Sequence, residues 1–378
     1  MRFDWSPEQE SLFTRTLSFA RTRLTEHTSE TGEGQSFSRE VWELMGRFGI
    51  LRMITPEDYG GMHLDALTSA RVVEALGQGC DDLGLIFAVS AHLFACVSPI
   101  IEHGNDSLKE RVLQRLSSGE WIGANAMTEA ESGSDVSSLR TLATRDGDHY
   151  ILNGTKSYVT NGPLADVILV YATQNPAHGY LGISAFVVER TTPGLRIGRP
   201  MDTVGLRTST ISAVYFEDCR VPVDNRLGAS GRGSAIFASS MLMERSCLFA
   251  MYVGAMQRML DTVIEKAGEL RLIGRRYQSA RHRIVDMKMQ LEAARLLLYR
   301  ACWEIDRGSR ATMDVALAKL AVSETMIRSC FEAFELLGVD ACMSDNGFER
   351  ALRDSLAGTI FSGTSEIQRE LIARELGL

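Results

Sequence analysis

The period of the apolar residues changes twice along the chain, and that double change restricts the fold more than any single residue. Up to about residue 120 the apolar positions recur at helical spacing. Ser6-Pro7-Glu8-Gln9 joins an N-cap serine, a first-turn proline and a glutamine three residues on, which predicts a capped helix start. Ser38 predicts a second helix, with Val41, Trp42, Leu44, Met45 and Phe48 as its buried stripe. Apolar stretches over 85–101 and 108–116 predict more helix, and Pro56-Glu57-Asp58-Tyr59-Gly60-Gly61 interrupts them with turn chemistry. From Trp121 the texture differs. Short apolar runs at 150–152, 167–171, 183–188 and 213–216 stand between Gly, Pro, Asn and Asp, with Asn153-Gly154 and Asn161-Gly162 expected at turns. Past Gly231 helical spacing returns, including a helix over 283–303 with Ile284, Met287, Leu291, Leu298 and Ala301 on one face. Helices, strands and helices in that order predict an α+β protein in three parts. They are an N-terminal helical domain (1–120), a middle antiparallel sheet or small barrel (121–230) and a C-terminal helical bundle (231–378).

Composition narrows the function. A chain of 378 residues that is 45% hydrophobic and 23% charged can bury large shared cores. A net charge of −8 without a basic tail argues against nucleic acid as a partner. Seven cysteines (80, 96, 219, 247, 302, 330 and 342) lie scattered with no Cys-x-x-Cys pair, so they are expected as reduced core residues. The opening residues lack the apolar run of a secretory signal, and no 18 uninterrupted apolar residues occur, so a cytoplasmic protein without a membrane span is expected. The histidines (27, 63, 92, 103, 149, 178 and 282) show no ligand spacing, and no metal is expected. His92, in an apolar helix, reads as a core residue.

Four motifs carry chemistry. They are Thr128-Glu129-x-x-Ser132-Gly133-Ser134-Asp135, Asn153-Gly154-x-Lys156-x-x-x-Thr160-Asn161-Gly162, Phe216-Glu217-Asp218-x-x-Val221-Pro222 and the tail Gly363-Thr364-Ser365-Glu366-Ile367-Gln368. Each alone could be turn and capping residues in an ordinary sheet. In this order along nearly the full length, the set resembles the acyl-CoA dehydrogenase superfamily. The resemblance implies FAD held against the middle domain by Asn125, Met127, Thr128 and Ser134, with Tyr158 behind the flavin and Thr160 near its N5. Thr364 and Glu366 of the tail also belong to this cofactor set, and so do Arg271 and Glu335, which would reach the FAD of a neighbouring subunit in a dimer or tetramer. Two segments depart from the family pattern. Glu269 to Gln278 is about three residues short, leaving Arg275 as a rival to Arg271, and Val339 replaces a glycine. Both departures concern the adenosine half of FAD.

In much of that family a glutamate precedes the Gly-Thr pair of the tail and acts as the base. Here the position is Ser362, and a neutral hydroxyl cannot collect a proton near pH 7 without its own base. Glu244, in Ser240-Met241-Leu242-Met243-Glu244-Arg245, resembles the helix-borne base of the isovaleryl-CoA and long-chain acyl-CoA subfamilies. Its apolar neighbours should raise its pKa into the range suited to proton abstraction. The alternative is a surface ion pair with Arg245 or Arg258. By resemblance, the Ser362 backbone N–H and a ribityl hydroxyl hold the thioester oxygen. Glu244 then takes the α-proton while a hydride leaves for the flavin. Ser134, Met243, Arg245, Phe249 and Phe361 are expected to line the substrate pocket.

The stretches Leu298-Tyr299-Arg300-Ala301-Cys302-Trp303, Ala91-His92-Leu93-Phe94-Ala95-Cys96 and Ile360-Phe361-Ser362-Gly363-Thr364 look most like one branch of that family. That branch is the L-prolyl-carrier-protein dehydrogenases of pyrrole-forming antibiotic biosynthesis. Its substrate is proline, tethered to a peptidyl carrier protein through phosphopantetheine and oxidised toward pyrrole-2-carboxyl. The electron acceptor is expected to be an electron-transfer flavoprotein or O2. Two other readings stay open: a short branched-chain acyl-CoA dehydrogenase, and a flavin-fold monooxygenase or non-catalytic binding module.

Overall fold

The computed structural model describes residues 4–26, 37–270, 278–343 and 347–378. Helix α1 (Pro7–Phe19) starts as its sequence predicts: the Ser6 hydroxyl accepts from the Gln9 N–H at 3.2 Å, and the Gln9 side chain accepts from the Ser6 N–H at 3.1 Å. Helix α2 (Arg39–Phe48) is capped by Ser38 and ends at Gly49, whose φ of 109° closes the helix in the left-handed region. Helices α3 (Ala66–Gly79), α4 (Leu83–His103) and α5 (Asp106–Ser118) complete the N-terminal part. α4 and the later α6 (Gly233–Glu269) are long and apolar enough to cross a membrane, which a search for uninterrupted apolar runs does not reveal. The apolar window of α4 is 94% buried inside the protein, as a core helix is.

Among the described residues eight strands form one sheet: β1 (Gly123–Ala126), β2 (Leu142–Asp146), β3 (His149–Thr160), β4 (Val167–Thr173), β5 (Ile183–Glu189), β6 (Leu195–Ile197), β7 (Ile211–Pro222) and β8 (Arg226–Leu227). Their order is β6-β7-β3-β2-β4-β5-β8, with β1 paired to β4. The sheet is mixed. β1 and β2 both run parallel to β4, whereas turn spacing alone predicts antiparallel pairing throughout. Asn153-Gly154 is not a turn either. It lies inside β3 at a register shift against β7, where a Cβ on Gly154 would stand 2.5 Å from the Thr141 hydroxyl. Asn161, at φ 63°, does turn the chain after β3. β4 reads as one apolar run because both its faces are covered: Val167, Leu169 and Tyr171 join the helical core, while Ile168, Val170 and Ala172 fill a second core within the sheet.

The C-terminal part contains α6, α7 (Gln278–Asp306), α8 (Thr312–Leu337), α9 (Phe348–Leu356) and α10 (Ser365–Glu375). α6 crosses α3 backbone to backbone. A Cβ on Gly254 would meet the Glu74 carbonyl oxygen at 2.0 Å, and one on Gly77 would meet that of Met251 at 2.1 Å. Gly254→Ala should therefore lose about 1–3 kcal/mol of stability, the cost of overpacking a closed contact, measured by urea denaturation. An unchanged midpoint would show that the helices separate freely.

Candidate active site

α6 carries Glu244 where its winding loosens into a π-turn over Glu244–Leu248. Such a turn adds a residue to the helix and re-aims the side chains on either side of it, and it recurs at functional positions. Glu244 is 9% exposed and sits among Met241, Cys247 and Leu248, all buried. The tail loop meets it from across the bundle. Ser362 has φ 55° and Gly363 φ 88°, two successive left-handed residues that bend the loop tightly. The Ser362 hydroxyl donates to Glu244 Oε1. Arg245 Nε donates to the Ser362 carbonyl at 2.7 Å, and Gln368 Nε2 donates to the Gly363 carbonyl at 3.0 Å. Among the described residues no acceptor meets the Ser362 N–H. Thr364 then caps α10 by accepting from the Ile367 N–H, with Glu366 exposed in that helix's first turn.

Electrostatics at this point follow from burial. Desolvation raises the Glu244 carboxyl, and the Ser362 hydrogen bond and the Arg245 charge only partly oppose it. Arg258 bonds the Gly77 and Cys80 carbonyls instead, and Arg245 is turned to Ser362, so Glu244 is not one half of a surface ion pair. Phe361, half-buried, packs on Phe87 at 4.6 Å and Phe249 at 5.0 Å. Phe249 is wholly buried and therefore shapes the site through Phe361. Lys319 Nζ lies 5.3 Å over the Phe249 ring, its pKa brought down to about 8 by burial and by nearby Arg245. Met243 is half-buried one residue before Glu244, while Ser134 is exposed in the loop between β1 and β2.

The middle domain presents a second cluster. Lys156 on β3 is fully buried; its ammonium bonds the Met127 carbonyl at 3.0 Å and Glu129 at 2.8 Å. Glu129 also accepts from the Arg140 N–H and from the N–H and hydroxyl of Thr141. Burial opposes its charge, but Lys156 and these donors outweigh it, so the carboxyl sits below its usual range. Lys156 is pushed down to about 8 by burial, so both partners are charged at neutral pH. The Ser157 N–H bonds the Thr128 carbonyl at 2.8 Å, tying loop to strand. With the Met127 carbonyl turned inward to Lys156, the trans peptide aims the Thr128 N–H the opposite way. Tyr158 has φ 56° and is 63% exposed, Thr160 is half-buried, and Asn125 Oδ1 is buried without a partner. An outward N–H, an uncovered aromatic face and an orphaned acceptor fit a flat, polar-edged cofactor such as a flavin.

Other expected residues are placed elsewhere. Glu335 is exposed near the end of α8 and pairs with Arg283, apart from the Glu244 cluster. Arg271 and Arg275 lie outside the described residues. His92 Nδ1 accepts from the Gly123 N–H at 2.8 Å, joining α4 to β1, and burial brings its pKa down to about 3. A surface cleft bounded by Ser107, Arg111 and Asn225 is separate, and its Arg111 is held by Glu189 at 3.1 Å.

The family models for the N-terminal, middle and C-terminal domains of acyl-CoA dehydrogenase match residues 6–120, 124–219 and 231–377. The chain belongs to the acyl-CoA dehydrogenase family. Within it, similarity extends to an L-prolyl-(peptidyl-carrier protein) dehydrogenase of Pseudomonas fluorescens, 47% identical over 90% of this chain and 91% of the relative. A protein of the same description from a Serratia strain is 40% identical over 100% of this chain and 99% of its own length. A solved structure described as PigA with FAD and proline superposes with a TM-score of 0.97 at 39% identity, covering both chains completely. Two features of this family member escaped the sequence. The Ser362 side chain bonds Glu244, and Lys156 with Glu129, each part of a family motif, form the buried support of the Met127 loop.

Proposed function

We propose that the chain is an FAD-dependent dehydrogenase of L-proline held as a thioester on a peptidyl carrier protein. The observation that carries this reading is the buried Glu244 carboxylate, gripped by a tail serine where much of the family has its base. Glu244 Oε2 is left free to receive the α-proton that the thioester carbonyl acidifies. The Ser362 N–H donates to the thioester oxygen as negative charge develops on it. Arg245 and Gln368 hold the carbonyls of Ser362 and Gly363, the two peptides that follow the donor, and so anchor the loop that carries it. Phe361 and Met243 close the pocket and exclude water, which suits a small ring. Bound FAD supplies the hydride acceptor. Asn125, Met127, Thr128, Ser134, Tyr158 and Thr160 would hold it from the middle domain, and Thr364 and Glu366 from the tail. Arg271 and Glu335 would contribute from a neighbouring copy in a homo-oligomer. The electron acceptor would be an electron-transfer flavoprotein or O2, and the setting the cytoplasm.

Anaerobic bleaching of the holoenzyme's flavin absorbance tests the substrate. L-prolyl-carrier protein should bleach it, and isovaleryl-CoA at the same concentration should not. The opposite pattern replaces this reading with a branched-chain acyl-CoA dehydrogenase. No bleaching by either thioester favours a flavin-fold protein without dehydrogenase activity.

A further inference from the structure

We infer that the Ser362 hydroxyl is the positioning group of Glu244, so that the residue at the vacated tail position is a working part of the helix-borne base. The inference rests on the assignment of Glu244 as base. Among the described residues Ser362 is the one hydrogen-bond donor on the Glu244 carboxylate, and it binds Oε1 only. The loop is shaped to make that bond. A non-glycine residue at φ 55° is held in a sparsely populated conformation that persists only where its surroundings impose it. Here Arg245 and Gln368 hold the Ser362 carbonyl, at 2.7 and 3.4 Å, while the hydroxyl bonds Glu244. Gly363 cannot be replaced without disturbing the same clamp, because a Cβ there would stand 3.0 Å from Gln368 Nε2 and 3.2 Å from Arg245 Nη2.

A donor on one carboxylate oxygen does two things. It favours the ionised form against desolvation, and it fixes the rotamer so that the other oxygen faces the substrate carbon. The elements packed around this turn carry further charged or titratable groups, among them Arg245, Cys247 and Tyr252 on α6, Arg71 and Glu74 on α3, His92, Cys96 and Glu102 on α4, Cys302 and Asp306 on α7, Lys319 and Cys330 on α8, and Tyr171 on β4. Of these, Arg245 and Tyr171 are electrostatically coupled to Glu244, and neither hydrogen-bonds it.

The test is the pH dependence of kcat with prolyl thioester for the wild type, Ser362→Ala, Ser362→Gly and Glu244→Gln. Glu244 works ionised, so the rate rises with pH through its pKa. Removing a donor to the ionised form moves that limb to higher pH, by about one pH unit or more for a bond to a charged acceptor. At any pH below the limb, kcat falls about tenfold for every pH unit the limb has moved. KM and FAD content should stay as in the wild type, and activity should recover at high pH, which loss of fold would not allow. Ser362→Gly, which relieves the positive φ, should move the limb equally and so separates the hydroxyl from backbone strain. An unmoved limb in both serine variants, with Glu244→Gln inactive, overturns this inference alone. A Glu244→Gln enzyme that keeps its rate overturns the base assignment, and this inference falls with it.

Discussion

Glu244→Gln should slow flavin bleaching by the thioester substrate about 10²-fold or more while FAD stays bound. The amide keeps the volume of the carboxylic acid, and its oxygen can still accept from Ser362, so the loop need not move. What disappears is the carboxylate assigned to carry the α-proton away. Most of the proposed cofactor contacts lie on β1, β3 and the loop after β1, and Glu244 is not among them, so cofactor content should not follow activity down. Stability gives a second, independent readout. A carboxyl raised by burial binds its proton more tightly folded than unfolded. Its contribution is therefore present below the unfolded pKa and lost as pH rises through the folded one. Gln carries no such charge, so the variant should match or exceed the wild type in stability above the usual carboxylate range. Normal bleaching with raised stability would mean that Glu244 is a buried structural acid and that the base lies elsewhere.

The parts of this architecture legible in the sequence are those governed by local rules. The α1 capping box, the Ser38 cap and the Met287-Leu291-Leu298-Ala301 face of α7 depend on residues within a few helical turns of one another. The parallel placement of β1 and β2 against β4 was not legible, because it pairs segments whose separation carries no turn signal. Asn153-Gly154 misled for a related reason. The glycine is needed by the close approach of Thr141, which lies on the preceding strand's side of the turn, and not by a hairpin of its own. The same limit applies at the site. The apolar surroundings of Glu244 predicted its raised pKa, since burial can be read from neighbours on one helix. Its bond to Ser362 spans 118 positions and depends on two successive left-handed residues, of which only the glycine announces itself in the sequence.

Lys156→Met should be the most destabilising single change in the middle domain, at about 3–5 kcal/mol, read from the urea midpoint of the apoprotein. The pair it breaks is 0% and 8% exposed, so water cannot replace the lost ammonium. Glu129 would keep its donors from Arg140 and Thr141, but those alone must then hold a buried charge, and its pKa should climb from its lowered value. The Met127 carbonyl loses its partner at the same time and can rotate, taking the Thr128 N–H with it. FAD affinity, measured by titrating apoprotein with the flavin, should therefore fall further than stability alone explains. Replacing Glu129 by Gln in the Lys156→Met background removes the stranded charge. That double variant should regain a large share of the stability but little of the FAD affinity, because the Met127 carbonyl still lacks its donor. Equal recovery of both would mean that the ion pair supports the sheet and has no part in aiming the loop.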